Sequence, residues 1–251
     1  MLKWIFFDVG NVILNDDPAM AVYYHQIFKV IQAQGNHVSF DQILADREAS
    51  IVNNRDGRHY VSVALKHLGR KVWAQHEQGI RDYLMDNWAN ISPLMPAIVP
   101  VIQQLAEKYK LGIIANQPSS VVDVLREHAI LDYFKILGIS QMLGKSKPDR
   151  AFFRWALDQA NCLPEQALMV GDRIDNDIVP ARELGMRTLW LPLTLDKKNY
   201  TPKTEFEKKY FASLKRACVS HLPPRNQSET PDAIAKDFTE IIEQVRQIDE
   251  D

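Results

Sequence analysis

The chain has 251 residues, 46% of them hydrophobic and 25% charged, with a formal net charge of −2. That composition suits a globular protein of one large or two modest domains, and no basic block marks a nucleic-acid-binding face. Cys162 and Cys218 stand far apart without paired spacing, and no apolar run approaches the ~20 residues that span a bilayer. The expectation is a cytoplasmic protein with reduced thiols and no zinc site, membrane span or signal peptide. Oligomeric state is left open.

Residues 3–7 form a short apolar run that ends at Asp8-Val9-Gly10-Asn11 and reads as a strand buried on both faces. From about residue 16 to 91 the pattern turns helical, with no convincing strand. Helices are expected over 21–33, 40–52, 61–68 and 72–88, with breaks at Gly35-Asn36, at 53–57 and at Gly69. Trp73 and Trp88 read as core, and His25, His37, His67 and His76 as surface or packing residues. The stretch looks like a helical insertion over 16–91 into a core of 1–15 and 92–251.

From residue 92 helices and strands alternate. Helices are expected over 96–109, 119–128 and 149–161, and strands over 111–115, 135–139, 167–170 and 188–191, with a further helix ending near Leu184-Gly185. This alternation predicts an α/β fold, a doubly wound, parallel, Rossmann-like sheet whose ligands bind beyond the carboxyl ends of its strands. Asp8, Asn116 and Asp172 all fall at such ends. Segment 194–216 is rich in Lys, Tyr and Phe without clear regularity. A last helix is expected over 231–247, with Ile234, Phe238, Ile241, Ile242 and Val245 on one face.

Asp8 ends a buried strand, where a carboxylate is costly unless it meets a cation or several donors. It reads as a helix cap or as a nucleophile that takes up a phosphoryl group. Asp172 and Asp177 flank the start of a helix and read as caps or as cation ligands, while Asp175 between them reads as solvent-facing. Three carboxylates that meet a phosphate dianion repel one another without a cation, and an all-oxygen set suits Mg²⁺. Lys147, fixed before Pro148, can offset that charge, with Lys145 as its competitor. Asn116 and the backbone N–H groups around Ala115 can hold phosphoryl oxygens.

These four segments, with Gly171-Asp172 and Asn176-Asp177 the most specific, resemble the haloacid dehalogenase-like hydrolase superfamily with a helical cap. The resemblance runs to about Leu191 and takes in the Pro231-Asp232 helix at the end. It implies Asp8 as nucleophile, Lys147 with Ala115 and Asn116 on the phosphate, and Mg²⁺ held by Asp8, the Gly10 carbonyl and Asp172, with Asp177 adjacent. Phosphatases of the family usually carry a second aspartate two residues after the nucleophile, where this chain has Gly10, and Ser or Thr where it has Ala115. Loss of a general acid typically costs about 10²–10⁴-fold. Leaving groups that depart easily are therefore favoured. In the cap, Arg55, Arg58 and His59 are candidates for substrate contact in an otherwise ordinary polar turn.

The leading expectation is a Mg²⁺-dependent phosphatase whose partner is a small-molecule phosphate ester, such as a sugar phosphate, with no nucleic-acid or membrane partner. Two alternatives stand beside it. One is a catalytically weak family member that serves as a binding or regulatory module. The other is a 2-haloacid dehalogenase, in which Asp8 attacks carbon without a metal.

Overall fold

Strand β1 (Trp4–Phe7) lies inside a six-stranded, wholly parallel sheet with β2 (Lys110–Ala115), β3 (Phe134–Ile139), β4 (Ala167–Gly171), β5 (Arg187–Trp190) and β6 (Ala233–Ile234). The spatial order is β3-β2-β1-β4-β5-β6. The computed structural model describes residues 1–250, Ala89 by its backbone alone. It divides into two units: Met1–Asn15, Leu94–Asn199 and Ser220–Asp251 make the first, and Asp16–Pro93 and Tyr200–Val219 the second.

In the first unit every residue of β1 is buried, as a strand covered on both faces requires. On one face Trp4, Phe6, Ile114, Ile136 and Met169 pack with Phe152, Phe153 and Ala156 of helix Arg150–Ala160. That helix starts where the sequence signals it, with the Asp149 carboxylate accepting the Ala151 N–H at 2.8 Å. Helices Ile98–Ala106 and Phe238–Glu250 also belong to this unit. The register pairs Phe7 with Ile113 on one side and Val170 on the other. Asp8 therefore emerges level with the ends of β2 and β4. The chain order reverses about β1, and open parallel sheets bind ligands at such a crevice.

The C-terminal pattern differs from expectation. Residues 231–237 are not helical. Ala233 and Ile234 add a parallel edge strand beside Leu189 and Trp190, and the helix begins only at Phe238. The Asp232 carboxylate accepts the Thr188 N–H and hydroxyl, both at 2.8 Å, and fixes this edge. Phe238, Ile241 and Val245 do lie on the buried face of the helix, whereas Ile234 is 40% exposed.

The second unit is all helical: Asp17–Ala33, Phe40–Asn54, His59–Ile91 and Glu205–Arg216. Ser39 caps the second through the Gln42 N–H, and Pro18 opens the first. His59–Ile91 breaks at Gly69 (φ 70°, ψ 166°), a conformation that glycine adopts without steric cost, so the two expected helices are both present. Trp73 is buried and Trp88 half-buried.

One expected boundary needs correction. The core was expected to take the whole of 92–251, yet Tyr200–Val219 joins the helical unit. Thr204 caps the Glu205–Arg216 helix through the Glu207 N–H. Its Tyr210, Phe211 and Leu214 are buried, and the buried Arg47 guanidinium donates to Ser213 Oγ at 3.1 Å and the Ala217 carbonyl at 2.9 Å. The chain thus crosses between the units four times rather than twice. Among the described residues no helix is long and apolar enough to cross a membrane.

Candidate active site

Asp8 stands one residue past β1, 7% exposed, and its Oδ1 accepts the Val9 N–H at 2.7 Å. The chain then turns sharply. The Val9 carbonyl accepts from the Ile13 and Leu14 N–H groups at 2.8 and 2.9 Å, and Asn11 takes the left-handed conformation (φ 55°). At the end of β4, Gly171 leads into Asp172. A Cβ on Gly171 would sit 2.4 Å from Asp177 Cβ, so the absence of a side chain there makes room for Asp177. The turn Ile174–Ile178 is a single π-helical loop. In it the Arg173 N–H donates to Asp177 Oδ2 at 3.0 Å and aims that carboxylate back toward the sheet. One carboxylate oxygen each from Asp8, Asp172 and Asp177 lies within 4.8 Å of the others.

Lys147 reaches this cluster after β3. It is 3% exposed, and its Nζ lies 2.8 Å from Asp8 Oδ1 and 2.6 Å from Asp177 Oδ1. Lys145, its competitor in the sequence, is exposed. The Asn116 side chain is engaged with Lys147: its Nδ2 donates to the Lys147 carbonyl at 2.9 Å, and its Oδ1 accepts the Lys147 N–H at 2.8 Å. Asn116 thus aligns the lysine backbone. Ala115 is fully buried at the end of β2.

The electrostatics are dominated by burial. Desolvation, with the charges of Asp177 and Asp8 behind it, pushes Asp172 up to about 8, against the Ser220 hydroxyl and Arg173. Desolvation raises Asp177 to about 6, with Lys147 opposing. Desolvation disfavours the Lys147 ammonium, but Asp177 and Asp8 more than compensate and its pKa rises. Three buried carboxylates face one ammonium, so the cluster lacks positive charge. Its donors are hard oxygens, and a divalent cation of the Mg²⁺ type fits that set.

Arg55 and His59 belong to the helical unit. Arg55 ends helix Phe40–Asn54 in the left-handed conformation. His59 is 7% exposed, stacks on Tyr24 and shares a 2.6 Å hydrogen bond between its Nδ1 and the Tyr24 hydroxyl. His59 is therefore packed into its own unit. Arg58 is exposed.

Three side chains in the site were not anticipated. The Ser220 hydroxyl donates to Asp172 Oδ2, Trp190 Nε1 donates to the Asp172 carbonyl at 2.8 Å, and Lys198 Nζ donates to Asn11 Oδ1 at 2.9 Å. Trp190 lies within an expected strand. Ser220 and Lys198 carry no spacing signal.

The sequence profile of the haloacid dehalogenase-like hydrolases matches residues 5–191. The chain is 36% identical over 195 residues to a glyceraldehyde 3-phosphate phosphatase from Pyrococcus furiosus, covering 75% of this chain and 80% of that one. It is 29% identical over 194 residues to the pyrimidine 5′-nucleotidase YjjG of Escherichia coli, covering 75% and 85%. The fold is that of the hydrolase YfnB from Bacillus subtilis, whose structure is described as bound to magnesium, with a TM-score of 0.64 at 20% identity over 96% of this chain and 97% of that one. A sheet with this strand order, a carboxylate cluster at its crossover edge and a profile match across most of the sequence agree: the chain belongs to the haloacid dehalogenase-like hydrolases.

Proposed function

We propose that this hydrolase is a Mg²⁺-dependent phosphatase that releases phosphate from a small phosphorylated metabolite through an aspartyl-phosphate on Asp8. The observation that carries this reading is the buried Lys147 ammonium between Asp8 and Asp177, with Asp172 beside them. In the first step a carboxylate oxygen of Asp8 bonds to phosphorus as the ester P–O bond breaks. The electron pair leaves with the ester oxygen, which takes a proton from water. In the second step water adds to phosphorus, giving up a proton to the hydroxide left by the first step, and the Asp8 carboxylate departs, so inorganic phosphate is the product.

Lys147 offsets the negative charge that the phosphoryl group brings to the carboxylates, and N–H groups around Ala115 and Asn116 take its oxygens. Asp8, the Gly10 carbonyl and Asp172 would hold Mg²⁺ with Asp177 adjacent, and the ion would supply positive charge to the phosphoryl oxygens. Gly10 offers no proton to the leaving oxygen, so esters with a stable leaving group are favoured. The names of the relatives support a small phosphate ester as substrate class. The helical unit is proposed as the cap that selects among such esters, with Arg55 as one candidate contact.

The test is phosphate release from p-nitrophenyl phosphate and a panel of sugar, triose and nucleoside phosphates, in Mg²⁺ and in EDTA, for wild type and Asp8→Asn. Turnover that needs Mg²⁺ and vanishes in Asp8→Asn is expected. Turnover that survives in EDTA, or in Asp8→Asn, overturns the reading.

A further inference from the structure

The family match ends at residue 191, yet the chain beyond it returns to the site twice. Lys198 stands at the last turn before the chain leaves for Tyr200–Val219, and Ser220 is the first residue after it returns. Both are buried, at 4% and 5% exposure. Their contacts fall on the two loops that carry the cation donors. The Ser220 hydroxyl bonds Asp172 Oδ2, and Lys198 Nζ bonds Asn11 Oδ1 at 2.9 Å, one residue past Gly10.

We propose that the segment beyond the family match is part of the cation site: Ser220 and Lys198 are positioning residues that hold the Asp172 carboxylate and the Gly10-Asn11 turn in place for Mg²⁺. This inference rests on the functional reading above. The physical argument is preorganisation. A carboxylate held at one oxygen by a buried hydroxyl presents the other in a fixed direction. Partners that fix a metal ligand in this way typically contribute about 10–100-fold to affinity. Asn11 has a similar anchor. It adopts the left-handed backbone that asparagine accepts more readily than most residues, and the Lys198 ammonium fixes the direction of its side chain. Because the two anchors bracket the second helical excursion, a change at either junction reaches a different donor loop.

The test measures Mg²⁺ binding to the metal-free full-length chain by isothermal titration calorimetry, with no substrate present. Ser220→Ala should weaken Mg²⁺ binding about tenfold, and Ser220→Thr, which keeps the hydroxyl, should restore it to within a few-fold. Lys198→Met keeps the aliphatic length and should weaken binding about threefold or more, while Lys197→Met, at an exposed lysine paired with Asp237, should not. Melting curves of each metal-free variant separate a folding defect from a lost anchor, and Ser220→Thr keeps the test open if Ser220→Ala unfolds. Affinities of Ser220→Ala and Lys198→Met equal to wild type overturn this inference and leave the phosphatase reading standing. A wild type that binds no Mg²⁺ overturns both.

Discussion

Asp172→Asn should stabilise the metal-free protein at alkaline pH and abolish its response to Mg²⁺. Burial first, then Asp177 and Asp8, push the Asp172 pKa from 3.8 up to about 8. The sign follows from proton linkage. Between about pH 4 and pH 8 the folded state holds a proton that the unfolded state has released, so stability falls as pH rises through that window. From pH 5 to pH 8 this spans about three pKa units, an upper bound of ~4 kcal/mol at ~1.4 kcal/mol per unit. Water entering the cluster relieves part of that penalty, so ~2–3 kcal/mol is expected, or roughly 5–10 °C in Tm for a chain of this size. Asparagine carries no charge and escapes the penalty while still accepting the Ser220 hydroxyl. Thermal melts in EDTA at pH 5 and pH 8 should therefore show wild type losing about that much more Tm than the variant. Mg²⁺ at pH 8 should then raise the wild-type Tm and leave Asp172→Asn unmoved. Parallel pH profiles for the two proteins in EDTA would refute the account of a cluster strained by its own negative charge.

Two further substitutions probe the same site. Lys147→Met leaves Asp8 and Asp177 buried without their shared cation, and loss of one partner from a buried ion pair costs about 3–5 kcal/mol. Denaturant melts at pH 8 should show that loss, with phosphatase turnover down at least about 100-fold; a variant as stable as wild type would contradict the pairing. Gly171→Ala puts a methyl group 2.4 Å from Asp177 Cβ and 2.5 Å from its Oδ2, so the carboxylate must move off Lys147. Overpacking of this kind costs about 1–3 kcal/mol. Calorimetry should also show weakened Mg²⁺ binding, and wild-type stability and affinity together would mean that the Gly171 contact is not tight.

The alternation of helix and strand, the parallel sheet and the placement of Asp8 and Asp172 at its strand ends can all be read from the sequence. Strand ends and turn residues are local signals, and a parallel sheet brings the carboxyl ends of its strands to one edge whatever the loops do. Gly69 was legible for the same reason: a break is decided within a few residues. Features that depend on distant partners emerge only in the folded chain. Lys147 rather than Lys145 enters the site because it is the one that is buried between carboxylates from two other strands. Asn116 serves the lysine backbone because β2 and the chain after β3 lie side by side. Ile234 leaves the expected helix because an open sheet edge at β5 takes its backbone hydrogen bonds. Tyr200–Val219 joins the helical unit because Arg47, far away in sequence, needs its carbonyl and hydroxyl acceptors once buried. Ser220 meets Asp172 across 48 residues and Lys198 meets Asn11 across 187. No local pattern encodes such pairs, because what selects them is the burial of a charge, which exists only once the chain has folded around it.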